Sequence, residues 1–237
     1  MTSLLLWQRQ IQRYTSSWKG PMRHLFRVFA SFLAALCVTL PASALDTPLS
    51  DEAVREAYFL GQRHDASFLT SYIKFLPMPK TGPHISSVTF LTPFAQLAQF
   101  SSKYVGNYSA QQAWLDHRGQ NESVKMTVEI YLTNSYGALI ANPVASPPRS
   151  SALIPRPNDF WKDFRVQVID GDKILSPSHS GGRPLSRCGR TGTCTTIGAA
   201  VDLEFPAVAF TSDFLTVQVI PPEGDPVSVD FDLTRLR

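Results

Sequence analysis

The sequence predicts a mainly β fold with added helices: an immunoglobulin-like antiparallel β-sandwich with an N-terminal helix pair and a helical insertion between its early strands. Three observations predict it. Val124, Met126, Val128, Ile130 and Leu132 alternate with Lys125, Thr127, Glu129 and Tyr131, the period-two signature of a half-buried strand. Six further short segments, ending with Phe214–Ile220 and Val227–Leu233, also carry one apolar face and are separated by turn residues. Seven such strands bury those faces most economically as two packed sheets.

The first element of the folded part is a helix. Ser50 is placed to cap it, Asp51 and Glu52 suit its positive end, and Leu49 and Val54 are spaced as a hydrophobic staple. Val54, Ala57, Tyr58 and Gly61 then share a face. Asp65 is placed to cap a second helix in which Phe68, Leu69, Tyr72, Ile73, Phe75 and Leu76 recur at helical spacing until Pro77 stops it. The proline-rich segment 77–83 is a stiff linker.

His84–Leu91 reads as a short strand. Thr92 and Pro93 then supply an N-cap and a first-turn proline for a helix with Phe94, Leu97, Ala98 and Phe100. Ser109 caps another, from Ala110 to Arg118, carrying Ala113, Trp114 and His117. After the Val124 strand, the Pro- and Ser-rich stretch 142–158 reads as a long surface loop, and 159–164 as one helical turn. Phe164–Ile169 and Lys173–Leu175 are strands joined by an Asp170-Gly171-Asp172 turn. Ser176–Cys194, with its glycines and prolines, reads as a second long loop, and strands at 199–205, 214–220 and 227–233 close the chain.

Ahead of all this lies an export signal. Arg23, His24 and Arg27 precede an apolar run of 13 residues, Val28–Leu40, and Ala42-Ser43-Ala44 forms a small-residue cleavage site before Leu45. A membrane-spanning helix needs roughly 20 apolar residues, so the run is a signal to be removed. Leu36 before Cys37 does not suit a lipoprotein signal. The expected organisation is therefore an extension and signal peptide over 1–44, a helical segment and linker over 45–83, and a sandwich over 84–237 with its helical insertion at 93–118.

Cleavage changes the bulk numbers. Residues 1–44 hold five of the 22 Lys and Arg and none of the 19 acids, so 17 bases face 19 acids in the remainder, a net charge of −2. That balance, without a run of cations, excludes nucleic acid as a partner class. Only Cys188 and Cys194 remain, and an oxidising compartment favours their closing a structural bridge. Neither C-x-x-C spacing nor a neighbouring His supports a redox or metal role for them.

No motif names a reaction, and no catalytic, cofactor-binding or metal-ligating residue is assigned. His64, His84, His117 and His179 fall in different segments, without metal-ligand spacing. Asp116-His117 and Ser178-His179-Ser180 invite a hydrolase reading, yet adjacent residues on an element point apart and no G-x-S-x-G elbow precedes Ser180. Asp170-Gly171-Asp172 lacks the further oxygen ligands of a calcium loop. Phe160, Trp161, Phe164 and Trp114 are read as core residues in preference to an exposed sugar platform.

The runs Glu56-Ala57-Tyr58-Phe59-Leu60-Gly61, Thr92-Pro93-Phe94-Ala95-Gln96, Tyr108-Ser109-Ala110-Gln111-Gln112-Ala113 and Asp159-Phe160-Trp161-Lys162-Asp163-Phe164 resemble a group of predicted-secreted bacterial proteins of no known activity. The resemblance covers nearly all of the chain after about residue 50. It implies a bacterial envelope protein and carries over no functional residue. The leading expectation is a periplasmic or secreted, non-enzymatic domain that contacts an envelope or secreted protein through the loops 142–158 and 176–194. A hydrolase built on His117 or His179 and a carrier with an apolar cavity between the helices at 51–76 and the sheet are the alternatives.

Overall fold

The computed structural model describes residues 45–104, 108–141, 153–190 and 192–237, which belong to one compact unit. The expected signal segment, up to and including Ala44, lies outside the described residues. Leu45, the residue after the expected cleavage site, is buried in the main core.

The fold is mixed α/β, with helices and several antiparallel sheets. Helix α1 (Asp51–Gln62) is capped as expected, the Ser50 side chain accepting from Ala53 N at 3.1 Å, and Leu49 and Val54 lie in the same apolar cluster. Helices α2 (Pro93–Lys103) and α3 (Ala110–His117) begin at the Thr92 and Ser109 caps. The three helices share a small core of Leu49, Ala53, Val54, Ala57, Phe94, Leu97, Ala98 and Ala113. Close packing of α1 on α2 requires Gly61: a Cβ there would lie 2.2 Å from the Ala98 carbonyl oxygen.

The second helix of the expected pair does not form as an α-helix. Asp65 caps a 3-10 segment, Ala66–Tyr72, which passes directly into strand β1 (Ile73–Phe75). Strand β1 pairs antiparallel with β2 (His84–Leu91), setting Ile73 opposite Thr89 and Phe75 opposite Ser87. The apolar spacing was ambiguous between the two structures. The open edge of β2 resolved it by offering hydrogen bonds to a run rich in aromatic and β-branched residues, which favour extended backbone.

One sheet has five strands in the order β1-β2-β3-β9-β8, with β3 at Ser123–Tyr131, β8 at His179–Cys188 and β9 at Cys194–Pro206. A second has four, β11-β10-β6-β7, from Val227–Asp232, Phe214–Ile220, Arg165–Asp170 and Lys173–Leu175. Val124, Met126, Val128 and Ile130 of β3 are all fully buried, as their alternation required. Both sheets feed one apolar cluster, and the Phe90 ring of β2 lies 5.4 Å from that of Phe231 in β11 and 5.5 Å from that of Phe210.

The expected loop over 176–194 is mostly strand. β8 (His179–Cys188) forms a hairpin with β9 and sits at the edge of the five-stranded sheet. A ladder needs backbone groups and not apolar side chains, so an exposed edge strand has no alternating pattern to betray it. Gly182 leaves space for Trp161, whose ring would meet a Cβ at 2.5 Å, and Pro184 is tolerated because the strand is at an edge. Within the expected loop over 142–158, β5 (Leu153–Pro155) pairs with β4 (Leu139–Ala141), and 142–152 lie outside the described residues.

Candidate functional site

Cys188 and Cys194 are disulfide-bonded, and they are cross-strand partners at the end of the β8–β9 hairpin. The bridge closes the tip where the sequence turns through Gly189 and Gly192.

The four histidines hold separate positions. His64 stands after α1 with its Nδ1 3.1 Å from the Ser102 carbonyl oxygen, and His84 at the start of β2 has its Nε2 3.1 Å from that of Leu76. His179 is exposed at the start of β8. Among the described residues, no group of three or more His, Cys, Asp or Glu is arranged to hold a metal ion. The Asp170 carboxylate turns inward, accepting hydrogen bonds from Thr211 and Ser212, which explains its burial at the end of β6, just before the two-residue turn.

His117 differs from the others. It ends α3, and Gly119, at a φ of +80°, lets the chain fold back so that Glu122 returns to it. The His117 Nε2 lies 2.7 Å from Glu122 Oε1, with both side chains largely buried. The same oxygen accepts from Leu49 N at 2.6 Å, so the carboxylate also ties the segment before α1 to this corner. Asp116, adjacent in sequence, points away from His117 as expected of neighbours on a helix, its Oδ1 accepting from Gln112 Nε2 at 2.6 Å. Ser178 donates to the Glu204 carbonyl, away from His179. Among the described residues no hydroxyl is hydrogen-bonded to either ring nitrogen of His117.

The pair lies in a cleft of about 510 Å³ between α2, α3 and the ends of β3 and β9. Gln96 reaches across its floor, its Nε2 donating to the carbonyls of Leu91 and Ser123 at 3.0 and 2.6 Å. Ser123 donates to the Glu204 carboxylate, and Lys125 faces Glu204 across the β3–β9 ladder. Phe100 and Tyr108 form an aromatic wall, their rings 5.5 Å apart, and Tyr104 packs on both at 4.6 and 5.3 Å.

Among the described residues, two polar atoms in this lining are shielded from solvent without a hydrogen-bond partner: Glu122 Oε2 and the Tyr108 hydroxyl. Burial, together with the nearby Asp116 carboxylate, pushes ionisation of Tyr108 up to about 12. Even so, no hydrogen bond of ordinary geometry closes between the two groups.

Of the aromatics read as core residues, Phe160 and Phe164 lie in the core, while Trp161 and Trp114 are half-buried. Phe160 and Phe164 are buried beside Tyr136, and Trp114 donates from Nε1 to Asp51 Oδ1 at 2.6 Å while Arg118 stacks on its ring. Phe100 is legible in the sequence as a helix residue, but its meeting with Tyr104 and Tyr108 is set by how the chain after α2 packs back on that helix, which no local spacing reveals. No protein-family model matches this chain, and no curated protein matches it in sequence. No helix among the described residues is long and apolar enough to cross a membrane.

Proposed function

We propose that this is an exported bacterial protein, periplasmic or secreted, whose folded part is a non-enzymatic domain working by contact with an envelope or secreted protein. The disulfide carries the reading. A bridged pair at an exposed hairpin tip suits an oxidising compartment, where glutathione and thioredoxin do not keep thiols reduced. The apolar run and A-x-A site before Leu45, and the resemblance to predicted-secreted proteins, support the same address. Burial of Leu45 in the main core fits a folded part that begins where the signal ends.

The immunoglobulin-like arrangement belongs to this proposal. The contact of Phe90 with Phe231 and Phe210, drawing both main sheets into one apolar cluster, supports it. The contact surface is assigned to β8, a ten-residue edge strand with no buried residue, whose Arg187, with Arg190 in the turn, offers positive charge to an acidic partner, while Arg183 is paired with Asp202 of β9.

Producing the full-length chain in a bacterium tests the address. The expected product is found in the periplasm or medium, begins at Leu45, and resists thiol alkylation until reduced. An uncleaved cytoplasmic chain with three alkylatable thiols, Cys37 included, would refute it.

A further inference from the structure

We propose that the cleft beside His117 and Glu122 is a binding site for a neutral saccharide, stacked against Phe100 and hydrogen-bonded to Glu122 Oε2 and the Tyr108 hydroxyl. The site is separate from the β8 edge and rests on the cleft alone, whether or not the chain is exported.

Unsatisfied polar chemistry points to a ligand first. The Glu122 side chain is only 6% exposed, and of its two oxygens Oε1 already accepts from Leu49 N and stands against His117. Oε2 has no partner, although a buried carboxylate oxygen left unpaired is costly. It calls for a donor. The Tyr108 hydroxyl, in the same lining, stands near the Asp116 carboxylate without a hydrogen bond of ordinary geometry among the described residues, and it can donate or accept.

Charge and shape then select the class. Asp116, Glu122 and Glu204 in the lining outweigh Lys125 and His117, which disfavours anions. Acceptors predominate, as a ligand rich in hydroxyl donors requires. Phe100, 43% exposed, gives an apolar face at the rim, and a sugar ring presents C–H groups on one face and hydroxyls around its edge. The rings of Phe100, Tyr104 and Tyr108 pack on one another and so do not enclose a cage of the kind that captures ammonium groups. A volume of about 510 Å³ falls within the range of small-molecule sites.

The purified protein is titrated with cellotetraose, maltotetraose and tetra-N-acetylglucosamine, with spermidine as the cationic comparison, and followed by calorimetry and by amide NMR shifts. At least one saccharide is expected to bind with a Kd of about 1 mM or tighter, shifting amides of α2, α3 and residues 119–125. Phe100→Ala should weaken it about tenfold and Tyr108→Phe about threefold, each with thermal stability retained because neither change empties the core. Glu122→Gln, which keeps an acceptor for Leu49 N, should weaken binding more than Tyr108→Phe. The proposal is overturned if no saccharide binds, if spermidine alone binds, or if a saccharide binds equally to wild type and to Phe100→Ala and Tyr108→Phe.

Discussion

Replacing Asp170 with Asn tests whether one buried carboxylate holds together the passage between the two main sheets. Asp170 closes β6 with 2% exposure, and its Oδ2 accepts from both Thr211 N and Thr211 Oγ1 at 2.9 Å, while Oδ1 accepts from Ser212 N at 3.1 Å. These donors lie where the chain leaves β9 and enters β10. An amide has only one acceptor oxygen, so in either orientation its NH2 faces a backbone N–H. One buried donor left unsatisfied costs about 1–3 kcal/mol. The surviving bonds also lose charge assistance, which roughly halves their strength, so the total is about 2–4 kcal/mol. For a domain of this size that lowers Tm by about 5–15 °C. Urea denaturation should show an earlier midpoint at unchanged slope, while Asp172→Asn in the same turn, exposed to solvent, should stay within about 0.5 kcal/mol of wild type. A midpoint for Asp170→Asn that matches wild type would refute the reasoning, because the donors would then have to be satisfied without the carboxylate.

Further outcomes follow from other close contacts. Gly61→Ala should destabilise by about 1–3 kcal/mol through overpacking against the Ala98 carbonyl, read as a lower thermal midpoint with the helix content otherwise retained. Reducing the Cys188–Cys194 bridge, or replacing both with Ser, should cost at most about 2 kcal/mol, since the closed loop is short; a larger loss would mean the hairpin supports more than its own tip. Tyr72, Tyr108 and Tyr136 all ionise above the ordinary tyrosine value, chiefly through burial. Their neutral forms favour the folded state, so stability is intact below pH 10, where unfolded tyrosine begins to ionise, and falls as pH rises toward about 12 for Tyr108. Phenolate absorbance should show the corresponding late-titrating group, and Tyr108→Phe should remove it.

The legible parts of the fold are those whose chemistry is local. Ser50, Asp65, Thr92 and Ser109 each cap the segment expected of them, because a side-chain oxygen and the N–H it satisfies are only two or three residues apart. The β3 alternation placed its buried residues correctly for a similar reason: one face of a strand meets the core and the other does not. The segment 66–76 was misread where local spacing fits both a helix and a strand, and only the edge of β2 decided between them. Strand β8 was missed because its pairing uses backbone alone.

The candidate site was not legible in the sequence. Gly119 permits the reversal after α3, but nothing within the sequence says that Glu122 comes back to His117 in preference to Asp116, or that Leu49 donates to the same carboxylate. The aromatic wall joins residues of α2 to Tyr108 ahead of α3, a meeting fixed by how the helices dock.

By itself, then, the sequence determined the caps, the inward faces of the central strands, the Cys188–Cys194 pairing, and the composition left once residues 1–44 are set aside. Each depends on neighbours along the chain or on counting. Tertiary structure alone decided the edge strands, the inward turn of Asp170, and the unpartnered oxygen of Glu122 in its cleft. Those depend on which distant groups share a small volume, and burial there makes every unsatisfied polar atom costly enough to matter.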